Sequence, residues 1–334
     1  MWRAGLRLCR PRTVRGSPLR WAAAAASLEL QLPLKWAPLT GKARLDVLAV
    51  HGSPGSHVDF KYLYESLRRR GVRVLAPNYP NHGLTEPQEC HFAHTAAERD
   101  AIAWAFLDAA RGVGRSVALL SHSVHSTQAV RMATDRAERV HSVVVLNPAG
   151  LKNHWPLRVL RPVLRVGHHY WDAPPDSLGR KLAERVAFFG YTKLARLRVR
   201  TGKEGLCFAA STLNVDVEGD NARRCLDLRR AFDKPFFFLY ALNDHIVESR
   251  ISQDFLERME FDSRHKFLLS QFDSEQAMFA ELRSALQSRL AVAGSDKRFA
   301  VGFEPDGHFL QKSRASFVTS LLDALAQHTP HKRP

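Results

Sequence analysis

The sequence predicts an α/β protein, a mainly parallel twisted sheet with helices on both faces, and three observations carry that reading. Strand-length apolar runs alternate with helical stretches from about residue 45 onward, the rhythm of a parallel sheet with crossover helices. The runs are continuously apolar, as strands buried on both faces must be. Each run also stops in turn residues, among them His51-Gly52, Pro77-Asn78, Asn147-Pro148, Asn243-Asp244 and Asp306-Gly307.

Taken in order, Leu45–Val50 is the first strand and Phe60–Arg70 a helix. Val72–Ala76 is a second strand, stopped by Pro77 through Pro80. His94–Ala110 is an amphipathic helix, with apolar Ala97, Ala101, Trp104 and Leu107 at helical spacing. Ser116–Leu120 is a third strand, Ser126–Ala137 a helix and His141–Leu146 a fourth strand. Phe236–Leu239 and Arg298–Phe303 are the fifth and sixth. Between the fourth and fifth, residues 151–230 lose the strand rhythm, turn Arg-rich and aromatic, and read as a helical insertion. The chain therefore divides into a basic N-terminal segment (1–36), a first core part (37–150), the insertion (151–230) and a second core part (231–334).

Composition narrows the function classes. Hydrophobic residues make up 45% and charged residues 25%, which excludes disorder for most of the chain. No run approaches the roughly 18 apolar residues of a membrane span. Cys9, Cys90, Cys207 and Cys225 are scattered without a CxxC pair, arguing against a disulfide framework or a structural zinc site. The net charge of +16 suggests a polyanion partner until it is divided along the chain. Residues 1–36 hold 7 Lys/Arg against 1 acid, and residues 150–230 hold 16 against 8, whereas residues 231–334 hold 13 against 14. In the first block Arg3, Arg7 and Arg10 share one helical face, Trp2, Leu6 and Cys9 another, and Glu29 is the first acid. That is the form of a mitochondrial presequence, because import requires a cationic amphipathic helix. A basic tail without targeting role, on a cytoplasmic protein, is the alternative. No nucleic-acid-reading motif is present, so nucleic acid is not an expected partner.

In such sheets chemistry sits at the carboxyl ends of strands. There the chain carries His51-Gly52-Ser53-Pro54-Gly55, Ser121-His122-Ser123-Val124-His125, Asn243-Asp244 and Gly307-His308. A serine, an aspartate and a histidine thus occur in that order at strand ends. From about residue 45 to the end the chain resembles the α/β-hydrolase superfamily, on the His-Gly-x-Pro-Gly turn, the Ser123 elbow, the Asn243–Val247 segment and Gly307-His308-Phe309. The resemblance implies a triad of Ser123 as nucleophile, His308 as base and Asp244 as the acid that orients the imidazole. It implies an oxyanion hole from the backbone N–H groups of Ser53 and Val124, with His51, Gly52, His122 and His125 as candidate pocket residues. It also implies that residues 151–230 form a lid, whose basic charge would favour an anionic acyl substrate or a peripheral contact with an anionic membrane surface. No cofactor or metal is implied. The activity would be ester or thioester hydrolysis through an acyl-enzyme. Epoxide hydrolases and haloalkane dehalogenases share the His-Gly-Ser-Pro-Gly form but place an aspartate at the elbow.

Two departures stand against that pattern. The elbow is G-x-S-x-G because both flanking positions crowd a strained turn. Ser121 replaces the first glycine and is small, whereas His125 replaces the second and is not. His125 must turn away from the strand crossing, line the pocket or block it, and blockage would make the fold a catalytically silent binding module. The interval between Asp244 and His308 is also long; helices over Ser249–Phe261 and Ser274–Leu290 fill it, and Glu248 is the alternative acid. His122 and His125 lack supporting metal ligands, His168-His169 reads as a solvated turn, and Cys90, on a loop, is not read as a nucleophile.

Overall fold

A computed structural model describes residues 43–79, 82, 94–111, 116–171, 173–215 and 218–328. The basic segment 1–36 and Cys90 lie outside the described residues. Seven strands form one wholly parallel sheet: β1 (Leu45–Val50), β2 (Val72–Leu75), β3 (Val117–His122), β4 (Val140–Leu146), β5 (Phe236–Ala241), β6 (Lys266–Leu268) and β7 (Arg298–Phe303). Their order is β2-β1-β3-β4-β5-β7-β6. The six strands expected from sequence are present. The edge strand β6 is the addition: three residues with one buried side chain give no readable pattern.

The flanking helices are α1 (Lys61–Arg69), α2 (Ala96–Arg111) and α3 (Ser126–Asp135) before β4. After β5 come α8 (Ser249–Arg258), α9 (Glu275–Leu290), the short α10 (Leu310–Ser313) and α11 (Ala315–Gln327). α8 and α9 fill the interval between Asp244 and His308 as the sequence suggests. Ser274 fixes the start of α9 by accepting from the Ala277 N–H at 3.1 Å. Within β5 the period of two sorts side chains between two cores. Phe237, Leu239 and Ala241 join one cluster with side chains of α1, α9 and α11. Phe236, Phe238 and Tyr240 join the other with α2, α3 and α8. All six β5 residues are buried, and aromatic stacks reinforce them, Phe237 on Phe299 and Phe238 on Phe255. Burying each such side chain contributes about 2–3 kcal/mol.

Between β4 and β5 lie α4 (Trp155–His169), α5 (Leu178–Phe189), α6 (Gly202–Leu213) and α7 (Asp220–Ala231). The first three pack on one another with apolar clusters of their own. At the α4–α6 contact a Cβ on Gly167 would lie 2.4 Å from the Ala209 Cβ, so only glycine admits that approach. α7 departs from the expected insertion: Cys225 and Leu228 are buried in the sheet core and Arg224 pairs with Asp135 of α3. The insertion proper therefore ends before α7, not at residue 230. Its Arg-rich sequence masked a half-buried helix, because Arg stems cover apolar surface as readily as they meet water.

β2 lies on one side of β1 and β3 on the other. This reversal opens a crevice at the carboxyl ends of β1 and β3, where a doubly wound sheet binds its ligands. Residues 51–55 and 121–125 follow those two ends.

Candidate active site

β3 runs two residues beyond its expected end, to His122, and Ser123 follows at once. Ser123 has φ +59°, in the left-handed region that a serine rarely adopts. The turn from strand to helix forces this conformation and lifts the hydroxyl above the sheet. A one-turn helix, Ser123–His125, leads into α3, so the Val124 N–H belongs to the group of N–H donors that no intrahelical acceptor reaches. Opposite lies the turn after β1. A Cβ on Gly52 would sit 3.1 Å from both the Ser123 Cβ and His122 Nδ1, so glycine lets the Gly52-Ser53 backbone approach the Ser123 turn. The Ser53–Pro54 peptide is cis.

The structure brings Ser123, Asp244 and His308 together from three strand ends. Ser123 Oγ lies 2.9 Å from His308 Nε2, and His308 Nδ1 lies 2.7 Å from Asp244 Oδ2. The other Asp244 oxygen accepts the N–H groups of Ile246 and Val247 at 2.7 and 3.0 Å. Burial favours the neutral carboxyl, but the bonds from His308 and the two amides prevail and hold Asp244 below the usual carboxylate range. Glu248 does not reach His308. It accepts from the Trp155 N–H at 2.9 Å and pairs with Arg158, tying the start of α4 to the core.

Two braces hold the His308 loop. His122 Nε2 donates to the His308 carbonyl at 2.9 Å. Burial, then proximity to His308, pushes the His122 imidazole down to about 3, so it stays neutral. Asn147, after β4, donates to the Gly307 carbonyl at 3.1 Å and accepts from the Ala241 N–H at 2.7 Å. One side chain thus joins the strand ends that carry His308 and Asp244. In the sequence Asn147 reads only as a turn residue, and its φ of +43° fits that role.

His51 and His125 require a correction, because neither lines the cavity that reaches Ser123. The His125 ring turns behind the elbow, 1% exposed, with Nδ1 3.0 Å from the His51 carbonyl and 3.1 Å from the Arg99 guanidinium. That nitrogen serves one neighbour at a time, donating to His51 when protonated there and accepting from Arg99 when not. His51 turns the same way, toward Tyr79 and His82. Burial, reinforced by His82 and Arg99, holds His51 far below its ordinary value of 6.5. Burial and Arg99 do the same to His125.

Gly52, Ser53, His122, Ser123, Val124 and His308 do border that cavity, which has a free volume of about 40 Å³. Its remaining wall is largely apolar, from Leu157, Leu160 and Leu164 of α4 with Tyr191 and Ile246. Among the described residues no Lys or Arg lines it. The basic charge of the insertion lies outside, on exposed Arg161, Arg165, Lys181, Arg185 and Lys193. A second, wider depression of about 300 Å³ opens on the surface behind Asp244, beside Trp155 and Glu248, and does not include Ser123. Sequence reasoning missed His154. It is 5% exposed, faces the Ser123 cavity, and neither ring nitrogen has a hydrogen-bond partner among the described residues. Burial, then the nearby His308, pushes it down to about 4. Its position just before α4 carries no periodic or motif signal.

Residues 37–327 match a family model described as an alpha/beta hydrolase of unknown function (DUF1057). An uncharacterised Caenorhabditis elegans protein, F35H12.5, is 22% identical over 290 residues, covering 84% of this chain and 76% of that protein. Among solved structures, the meta-cleavage product hydrolase CumD of Pseudomonas fluorescens superposes with a TM-score of 0.54 at 16% identity, covering 86% of this chain and 92% of its own. A Paleococcus ferrophilus monoacylglycerol lipase superposes with a TM-score of 0.51 at 18% identity, covering 88% and 96%. These likenesses show the shared fold.

Proposed function

The chain belongs to this α/β-hydrolase family, and from that premise we propose that it is a serine hydrolase cleaving an ester or thioester of an apolar acyl group. The observation that carries the reading is the unbroken relay from Asp244 through His308 to the Ser123 hydroxyl, at 2.7 and 2.9 Å, beneath an apolar cavity. His308 takes the Ser123 proton as the oxygen attacks the acyl carbon. The oxyanion then accepts from the Ser53 and Val124 N–H groups, each worth about 10²–10³ in rate. Collapse breaks the bond to the leaving oxygen or sulfur, which takes the proton from His308. Water, deprotonated by the same imidazole, releases the acid and restores Ser123. Asp244 fixes the imidazole tautomer and stabilises the imidazolium. The alternative, a catalytically silent binding module, draws no support from His125, whose ring stays out of the cavity.

Acyl specificity follows from α4. The free volume at Ser123 is small, about 40 Å³, and α4 forms much of its wall, so a shift of α4 is the way a long acyl chain would be admitted. That no Lys or Arg among the described residues lines the cavity favours a substrate neutral near the scissile bond and leaves the basic outer face for a membrane contact. On α5, Leu178, Leu182, Arg185 and Phe189 project within about 60° of one another. The three apolar side chains are 85%, 63% and 55% exposed and Lys181 lies beside them, the arrangement of a helix that lies on an anionic lipid surface. The N-terminal segment adds a mitochondrial address.

A fluorophosphonate probe tests the nucleophile: it labels the wild type and not Ser123→Ala, and a folded wild type that resists labelling overturns the reading. Sedimentation with anionic vesicles tests the surface. Binding that survives Leu182→Asp with Phe189→Asp, or that is equal on zwitterionic vesicles, removes the membrane contact. Removing residues 1–28 from a tagged chain tests the address; an unchanged cellular distribution defeats it.

A further inference from the structure

Behind the elbow, away from Ser123, the insertion meets the core through three side chains with ligating atoms: Cys207 of α6, and His82 and His94 from the connection between β2 and α2. Cys207 Sγ lies 3.2 Å from His94 Nε2 and 3.6 Å from His82 Nδ1, and the three donor atoms lie within 4.8 Å of one another. All three residues are 0% exposed. We propose that His82, His94 and Cys207 form a binding site for a soft d¹⁰ metal ion, Cu⁺ in particular, that fastens the insertion to the core.

Spacing is the first argument. An ion about 2.0–2.3 Å from one sulfur and two imidazole nitrogens sets those donors about 3.5–3.8 Å apart. The two sulfur contacts, at 3.2 and 3.6 Å, need adjustments of only a few tenths of an ångström, and the two ring nitrogens lie within 4.8 Å of each other. Backbone conformation is the second. His94 has φ +56°, and in this left-handed conformation its ring reaches the sulfur. Surroundings decide the ion. Trp171 packs against His94 and Phe208 against His82, with ring centroids 5.3 and 4.9 Å apart, so the site is walled by aromatic rings. Such a site suits an ion content with three ligands and no water. Arg99 is fully buried close by, stacked on Tyr79 with its guanidinium carbon 3.7 Å from the ring centroid. Burial pushes the Cys207 thiol up and Arg99 offsets this only in part, so bond formation to a metal is what would favour the thiolate, while the guanidinium opposes any further positive charge. Cu⁺ with one thiolate is neutral, whereas Zn²⁺ with one thiolate leaves a net charge of one beside the guanidinium. The thiolate and imidazole donors suit both ions, so the charge balance is what favours Cu⁺. On binding, the Cys207 thiol loses its proton to solvent, the S–Cu bond replaces S–H, and no electron is transferred.

Occupancy would be felt at the oxyanion turn. Phe208, Ser211 and Thr212 follow Cys207 on α6; Thr212 Oγ1 donates to Ser53 Oγ at 2.7 Å, and Ser53 Oγ lies 3.3 Å from Ser211 Oγ. An ion holding Cys207 thus holds the helix that touches Ser53.

The test is an anaerobic titration of the full chain with Cu⁺ against a chromophoric chelator, with Zn²⁺ titrated in parallel. The expected result is one Cu⁺ per chain, with affinity at least tenfold lower in Cys207→Ala and in His94→Gln and unchanged in Ser123→Ala. X-ray absorption of the loaded chain should show one sulfur and two nitrogen neighbours. Wild type that takes up no more Cu⁺ than Cys207→Ala overturns the site, and one equivalent of Zn²⁺ without Cu⁺ overturns the ion. Circular dichroism melts verify that each variant is folded, and His82→Gln replaces any that is not. Metal uptake is read without turnover, so a failed Ser123 assignment would leave this result standing.

Discussion

The two sides of the Ser123 turn hold histidines under opposite conditions. In front, His308 has a hydroxyl at one nitrogen and a carboxylate at the other, so a positive charge on the ring would have Asp244 beside it. Behind, His51 and His125 share a buried space with Arg99, where an added proton is opposed by burial and by another positive charge. The same residue type thus has the partners of a base in front and serves as packing behind, and the difference lies in its neighbours. The contrast also accounts for a large side chain at an elbow position that ordinarily demands glycine. The space behind β1 and the elbow takes the His125 ring, so its bulk never enters the cavity.

Replacing Asp244 by Asn should break the front most severely, lowering kcat about 10³–10⁴-fold with little change in folding, because the imidazole loses its orienting acceptor. Kinetics on a soluble ester would check this, and a loss below tenfold would mean that Asp244 does not orient the base. His125→Ala should break the back instead. We expect a stability loss of about 2–4 kcal/mol from the cavity and the buried guanidinium. kcat per folded molecule should stay within about threefold, and a collapse of kcat in protein shown folded by denaturant titration would join the two sides into one device.

Acid sharpens the same contrast. The folded-state values of His51, His122 and His125 lie below 6.5, so below that pH the unfolded chain binds protons that the folded chain refuses. Stability is fully present above pH 6.5 and falls on acidification, by about 1.4 kcal/mol per pH unit for each such histidine. Urea midpoints at pH 7.5 and 5.5 should show the fall, and His125→Gln should make it shallower; an unchanged slope would mean that His125 protonates freely in place.

Smaller effects are expected at the rim. His154→Ala should cost about tenfold in kcat/KM on esters with a polar group beside the scissile bond, the worth of one hydrogen bond, and spare fluorophosphonate labelling. Reduced labelling would instead place His154 with the relay. Glu248→Gln should change kcat less than about twofold, because its partners are Trp155 and Arg158 rather than His308. A large loss of kcat would return it to the role of acid.

The sequence by itself determined the alternating architecture, the six long strands and the three strand ends from which Ser123, Asp244 and His308 converge. Continuous apolar runs and turn residues are local signals, and a parallel sheet leaves its functional residues just beyond them. It did not reveal β6, which is too short to show a period, or the core position of α7, whose arginines imitate a solvated surface. Tertiary structure alone decided which way His51 and His125 face, that Glu248 anchors α4, that Asn147 joins two loops, and that His154 borders the cavity. It alone brought Cys207 to His82 and His94, across more than a hundred residues of chain. The reason is physical. Strand and helix periods are written in neighbouring residues, whereas the partner and protonation of a buried polar side chain depend on whatever distant segment packs against it.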